Sequence, residues 1–137
     1  MTDYKKLIRK AFEAREKAYV PYSGFRVGAA LLTSDGEIYG GCNIENASYG
    51  ATNCAERTAF FRALYDGKRD FEAIAITGGK KDGPDREAWP CGICRQVMAE
   101  FCDMDRFEVI IAVSEEDYIV CKLREILPHA FSPESLK

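Results

Sequence analysis

The chain has 137 residues, 30% charged and 47% apolar, the balance of a folded globular protein, and its length suits one core, so a single domain over residues 1–137 is expected. No apolar run nears the roughly 20 residues that a membrane helix needs, and residues 1–10 are too polar for a signal peptide, which makes the cytoplasm the expected location. A net charge of -3 with scattered Lys and Arg lacks the basic stripe that neutralises phosphates; it argues against a polynucleotide or membrane partner and for a small, largely uncharged substrate.

Tyr4, Leu7, Ile8, Ala11, Phe12, Ala18 and Tyr19 recur at helical spacing, which predicts a helix over residues 2–19 that Pro21 stops. Residues 25–32 read as a strand, Ser34-Asp35-Gly36 as a turn and residues 37–39 as the start of a return strand, giving a hairpin. Gly28, Ala29 and Ala30 are small enough to admit a close neighbour. The glycine-bounded loop 40–50 carries Asn43 and Glu45, which either face a substrate together, as alternate residues of an extended segment do, or sit solvated in an Asx-type turn.

Thr52 or Asn53 is positioned to cap a helix running to Gly67. Residues 71–77 form a β-branched and aromatic strand, expected to run parallel to the first hairpin strand because a helix intervenes. A charged loop at 78–88 leads through Trp89-Pro90 into a second helix over residues 91–102. Strands follow at 107–113 and 118–121, and the four residues between them are too few for a parallel crossover, so the two are antiparallel. A short helix at 123–127 ends at Pro128, before Phe131 in a polar tail.

Six cysteines without export signals read as thiols. Cys42, Cys102 and Cys121 have apolar neighbours and read as small buried side chains. Cys54, Cys91 and Cys94 form a pattern: three thiolates close three corners of a tetrahedral zinc site and leave the fourth open, which separates a catalytic zinc from a structural one. Cys91 and Cys94, three apart on a helix, share one face. Cys54 and Glu56, two apart, point away from each other on a regular helix, so both address one metal only if Cys54 occupies the cap. Both ligand segments then stand at helix N-termini, where the dipole favours thiolate.

Glu56 is the candidate proton shuttle, close enough to reach metal-bound water without ligating the metal. A structural zinc would want a fourth ligand, but the lone His129 lies after Pro128; a redox C-x-x-C would leave Cys54 and Glu56 without a role. Three thiolates exceed Zn²⁺ by one negative charge, which weakens the metal as a Lewis acid. At least one of Arg57 and Arg95 is expected to donate to the ligand sulfurs, the alternative being solvated surface arginines.

The motif, with Cys in place of the more usual His, resembles that of zinc-dependent nucleobase deaminases. The segments Ala18-Tyr19-Val20-Pro21-Tyr22-Ser23-Gly24-Phe25, Gly41-Cys42-Asn43-Ile44-Glu45-Asn46-Ala47, Cys54-Ala55-Glu56-Arg57 and Pro90-Cys91-Gly92-Ile93-Cys94-Arg95-Gln96, followed by Leu127-Pro128-His129-Ala130-Phe131, make the chain similar to small homotetrameric cytidine deaminases over nearly its whole length. The resemblance implies an α/β, three-layer α-β-α fold on a five-stranded mixed sheet, with one Zn²⁺ per subunit and active sites near subunit interfaces. It implies that Phe25 packs on the pyrimidine and that Asn43 and Glu45 hold the ribose 3′-hydroxyl. Tyr49, Ala55 and Phe131 complete the substrate site, Glu56 shuttles protons, and Arg57 bonds to the ligand thiolates. The implied reaction is hydrolytic deamination of cytidine and 2′-deoxycytidine in pyrimidine salvage. Loop 78–89 is longer and more charged than the family pattern, and Trp89 departs from it, which leaves the loop's contacts open. Deamination of a cytosine-nucleoside antibiotic and a non-catalytic zinc-stabilised binding module are the alternative readings.

Overall fold

The structure, a computed structural model, describes residues 2–137. Helix α1 (Tyr4–Arg15) is capped by Asp3, whose carboxylate accepts from the Lys6 N–H, and it buries Leu7, Ile8 and Ala11. It ends four residues earlier than its apolar spacing suggests, because the Tyr19 N–H leaves the helical ladder to bond the Asn43 carbonyl. Strands β1 (Phe25–Thr33) and β2 (Ile38–Cys42) form the expected hairpin, with β2 reaching further into the glycine-bounded segment than Tyr39. Then come α2 (Ala55–Tyr65), β3 (Phe71–Lys80), β4 (Asp85–Arg86), α3 (Gly92–Phe101), β5 (Glu108–Ala112), β6 (Tyr118–Lys122) and α4 (Leu123–Ile126). A single 3₁₀ turn at Tyr49–Ala51 precedes α2, and another at Pro133–Leu136 lies in the tail that reads as irregular in sequence.

The sheet order is β2-β1-β3-β5-β6, the expected five-stranded mixed sheet, and the two residues of β4 add a sixth strand against the end of β3. Strands β5 and β6 are antiparallel, as their short link demands. The expected direction of the third strand needs correction: β3 is antiparallel to β1, with Gly28 opposite Thr77 and Leu32 opposite Ala73. The crossover rule governs the strands that α2 actually joins, β2 and β3, which run the same way with β1 inserted between them. Strands β3 and β5, joined through α3, pair in parallel.

Alternation along the strands assigns the two faces. Ala30, Ala73, Ala75, Ile110 and Ala112 pack against Leu7, Ile8 and Ala11 of α1. Ala29, Leu31, Ile74, Ile76, Val109 and Ile111 face the other way, against Ala55, Ala59 and Phe60 of α2, Met98 of α3 and Leu123 of α4. The result is the three-layer arrangement, with Phe60 at its centre in contact with Phe71 and Phe107. Among the described residues no helix is long and apolar enough to cross a membrane.

The helix layer opposite α2 sits close because its strand face is small. A Cβ added at Gly28 would come within 2.1 Å of the Ala11 carbonyl oxygen and 2.6 Å of the Arg15 nitrogen, both rigid backbone atoms. Gly28→Ala is therefore expected to lower stability by about 1–3 kcal/mol through overpacking, read as a lower urea midpoint at unchanged slope.

Candidate active site

Cys54 is the N-cap of α2, not Thr52 or Asn53, and its backbone is still extended (φ -74°, ψ 155°). Cys91 holds the same position on α3, with φ -69° and ψ 170°. The extended cap is the condition under which Cys54 and Glu56 can address one point. Asn53 helps to set it: its side-chain amide donates to the Thr58 hydroxyl at 3.0 Å, and that hydroxyl donates to the Cys54 carbonyl at 3.2 Å. Backbone bonds in both directions between Ile44 and Asn53 tie the cap to the loop carrying Asn43 and Glu45.

The two helix N-termini bring the three sulfurs within 4.8 Å of one another, with Cys54 to Cys91 at 3.8 Å and Cys91 to Cys94 at 3.6 Å. Three thiolates this close repel. Cys54 is held well below the ordinary thiol range, first by the Cys94 thiol donating to it and then by Arg57 and Cys91. Cys94 is pushed well above that range by the same bond, by burial and by nearby Glu56. A divalent cation is what would let all three ionise together, and an all-sulfur, open-cornered donor set suits Zn²⁺.

Arg57 projects from the first turn of α2 and donates to the Cys54 sulfur at 3.3 Å. The thiolate side chains around it raise its own pKa further. Its buried Nε has no protein partner. Arg95 does something else, donating to the Pro90 carbonyl at 2.7 Å and the Ile126 carbonyl at 2.5 Å. It is a clamp that fixes the chain just before Cys91 and joins α3 to α4. The alternative of solvated arginines fits neither side chain.

Glu56 is 4% exposed, and burial, with the Cys54 thiolate adding to it, pushes its carboxyl up to about 7. A carboxyl poised there can both accept and donate a proton near neutral pH.

Asn43 is neither solvated nor in an Asx turn. Its amide nitrogen donates to the Phe25 carbonyl and its oxygen accepts from the Val27 N–H, both at 2.9 Å, which pins the loop to β1. Glu45 accepts from the backbone N–H groups of Tyr22 and Ser23 at 3.0 and 3.1 Å and from the Ser23 hydroxyl at 2.5 Å. These bonds, the hydroxyl's first, hold its carboxyl below the usual range. Ser23 is the residue that sequence reasoning missed here; nothing in its spacing distinguishes it from any turn serine.

Tyr22, Ser23, Glu45, Asn46, Tyr49 and Thr52 line one cleft, in which the Tyr22 and Tyr49 rings meet edge to face at 6.5 Å. The half-buried Phe25 ring lies over Gly78 of β3, where a Cβ would fall 2.9 Å from it. Ala55 is fully buried in the single chain, in the core between α2 and the sheet. Tyr49 and Phe131 are 78% and 63% exposed, so one chain does not pack either ring into a wall. Cys42, Cys102 and Cys121 are only half-buried, and burial raises each thiol.

A family model described as the cytidine and deoxycytidylate deaminase zinc-binding region matches residues 1–111. A cytidine deaminase of Sporosarcina psychrophila is 52% identical over 98% of this chain and 95% of its own. One of Halalkalibacterium halodurans is likewise 52% identical, over 98% of each. The crystal structure of a cytidine deaminase from Burkholderia pseudomallei shares 50% identity at a TM-score of 0.85, covering 96% of this chain and 100% of that one. That of Mycobacterium tuberculosis shares 37% at 0.81, over 96% and 98%. With sequence, fold and the three-cysteine centre in agreement, the chain belongs to the cytidine and deoxycytidylate deaminase family.

Proposed function

We propose that this chain hydrolyses the 4-amino group of cytidine and 2′-deoxycytidine, giving uridine or 2′-deoxyuridine and ammonia. The carrying observation is that buried Glu56 stands two residues from the cap cysteine of a three-sulfur cluster. Cys54, Cys91 and Cys94 would hold Zn²⁺, which supplies a Lewis acid that brings the pKa of water down to near 7. Glu56 takes a proton from the attacking water and gives it to N3 of the pyrimidine, making C4 electrophilic. The same carboxyl then relays a proton to the departing 4-amino nitrogen. Arg57 offsets the negative charge by which three thiolates exceed the metal.

Phe25 packs on the base, and Asn43 and Glu45, held rigid by β1 and Ser23, receive the 3′-hydroxyl. Tyr49, Phe131 and Ala55 finish the substrate site. The exposed rings of Tyr49 and Phe131 support a homotetramer in which neighbouring copies close each other's sites. The whole chain acts as one domain, working in the cytoplasm in salvage of pyrimidine nucleosides.

The deciding assay follows the ultraviolet change from cytidine and deoxycytidine to their uridine products. Both are expected to convert, while Glu56→Gln retains zinc and loses about 10²–10⁴ in kcat. In the same assay free cytosine, which has no ribose hydroxyl to bond to Asn43 and Glu45, is expected to run about 10²-fold slower in kcat/KM through loss of charge-assisted hydrogen bonds. Efficient turnover of the bare base would remove the sugar-binding role. Arg57→Gln is expected to weaken zinc retention about 10–100-fold against a competing chelator; an unchanged zinc off-rate would sink its role. Light scattering should give four times the mass of one chain, and a monomeric mass with full activity would contradict shared sites.

A further inference from the structure

Loop 78–89, which the catalytic reading leaves without a task, is anchored on one face of the sheet and presents side chains on the other. On the α1 face, Arg15 is nine-tenths buried and donates to the Asp85 carboxylate at 2.6 Å, with its guanidinium 4.8 Å from the Phe12 ring centre. Among the described residues Asp85 is the one carboxylate paired with this buried cation, which otherwise has no protein partner at its Nε. Asp85 and Arg86 are the two residues of β4, paired with Gly79 and Gly78 of β3. A Cβ on Gly79 would fall 2.8 Å from the Asp85 carboxylate oxygen.

Two residues past β4 the chain has reached the other face. Ala88 packs there against the α2-side core, and a Cβ on Gly78 would meet both the Ala88 methyl, at 2.8 Å, and the Phe25 ring, at 2.9 Å. The bare backbone of Gly78 is thus the floor on which Ala88 and Phe25 sit together. The pair Arg15–Asp85 fixes β4, β4 fixes Ala88, and Ala88 stands beside the ring proposed to pack on the pyrimidine. The zinc-ligand segment has its own anchor, since Arg95 holds the Pro90 carbonyl independently of β4.

We propose that Arg15 and Asp85 are positioning residues for the base pocket: their ion pair, across the sheet from the chemistry, holds loop 78–89 so that Ala88 keeps the Phe25 ring in place for the cytosine. The assignment rests on the deaminase reading above. Because the ring would meet the base in ground state and transition state alike, loosening it costs binding and leaves the chemical step intact.

Trp89, the only tryptophan in the chain and directly after Ala88, reports the loop's position without any turnover. The experiment compares wild type, Asp85→Ala, Asp85→Asn, Ala88→Gly and the Asp85→Ala/Ala88→Gly double variant as zinc-loaded protein. In Asp85→Ala, Trp89 emission is expected to shift to the red and become more open to acrylamide, and KM for cytidine to rise about tenfold, with kcat within about twofold and zinc content unchanged. Asp85→Asn, which keeps an acceptor oxygen, is expected to fall between wild type and Asp85→Ala. Ala88→Gly should raise KM in the wild-type background and add little to Asp85→Ala, since both act through one contact. This variant keeps the test open if loss of the buried pair unfolds the protein. A merely structural pair would lower the melting temperature while leaving KM and Trp89 unchanged, and that result, or full additivity of the two changes, overturns the proposal. Absence of cytidine turnover in the wild type would instead overturn the functional reading, and the Trp89 measurement separates the two failures.

Discussion

Three sulfur atoms that would each be an anion are forced within 4.8 Å of one another, and that crowding is the constraint from which the rest of the site follows. It is met by geometry before it is met by charge. Each contributing helix is halted at its first residue, with Cys54 and Cys91 in extended backbone, so sulfurs from two separate segments converge while Cys94 reaches them from inside the first turn of α3. Helix N-termini supply partial positive charge and Arg57 a full one. Glu56 can then remain buried beside this negative cluster because burial and the cluster together favour its protonated form, the property that a proton carrier needs.

Holding two helix starts in register requires a rigid layer beneath them, and the sheet provides it through an unequal division of side-chain size. Its α2 face is filled by Leu31, Ile74, Ile76, Val109 and Ile111, whereas its α1 face is mostly alanine with glycine at position 28. On the α2 face these side chains fill the core over the central strands, while at Gly41 of β2 the backbone of α2 also comes down on the sheet, where a Cβ would fall 2.4 Å from the Ala55 carbonyl oxygen and 2.5 Å from the Ala59 nitrogen. The small face draws α1 down until backbone touches backbone. Asn43 and Glu45 are fixed by the same economy of contact, their side chains bonded to the backbone of residues 22–27.

Much of this was legible in the sequence because it depended on local rules. The extended cap at Cys54 was required by the two-residue spacing to Glu56, and the antiparallel end of the sheet by a four-residue link. What stayed hidden depended on partners distant in the chain. The direction of β3 could not be read from α2 alone, since it turned on whether β1 would lie between the strands that α2 connects. The two arginines look alike beside their motif residues, and only the placement of Pro90 and Ile126 makes one a clamp and the other a charge donor. Ser23 and β4 carried no periodic signal, the first being a single hydroxyl in a turn and the second two residues in a charged stretch.

The alanine-and-glycine contact between α1 and the sheet has a further bearing on how such a chain can diversify. A seam in which backbone meets backbone leaves no volume for a ligand or for larger side chains, so change there is penalised whatever its chemistry. The opposite flank has a shorter seam of its own, where Gly41 meets the backbone of Ala55 and Ala59, but the loops beyond it can take new lengths and new residues without disturbing either seam. Room for altered recognition therefore lies in the loops at one edge of the molecule, and the two backbone seams beneath the helices resist any added volume.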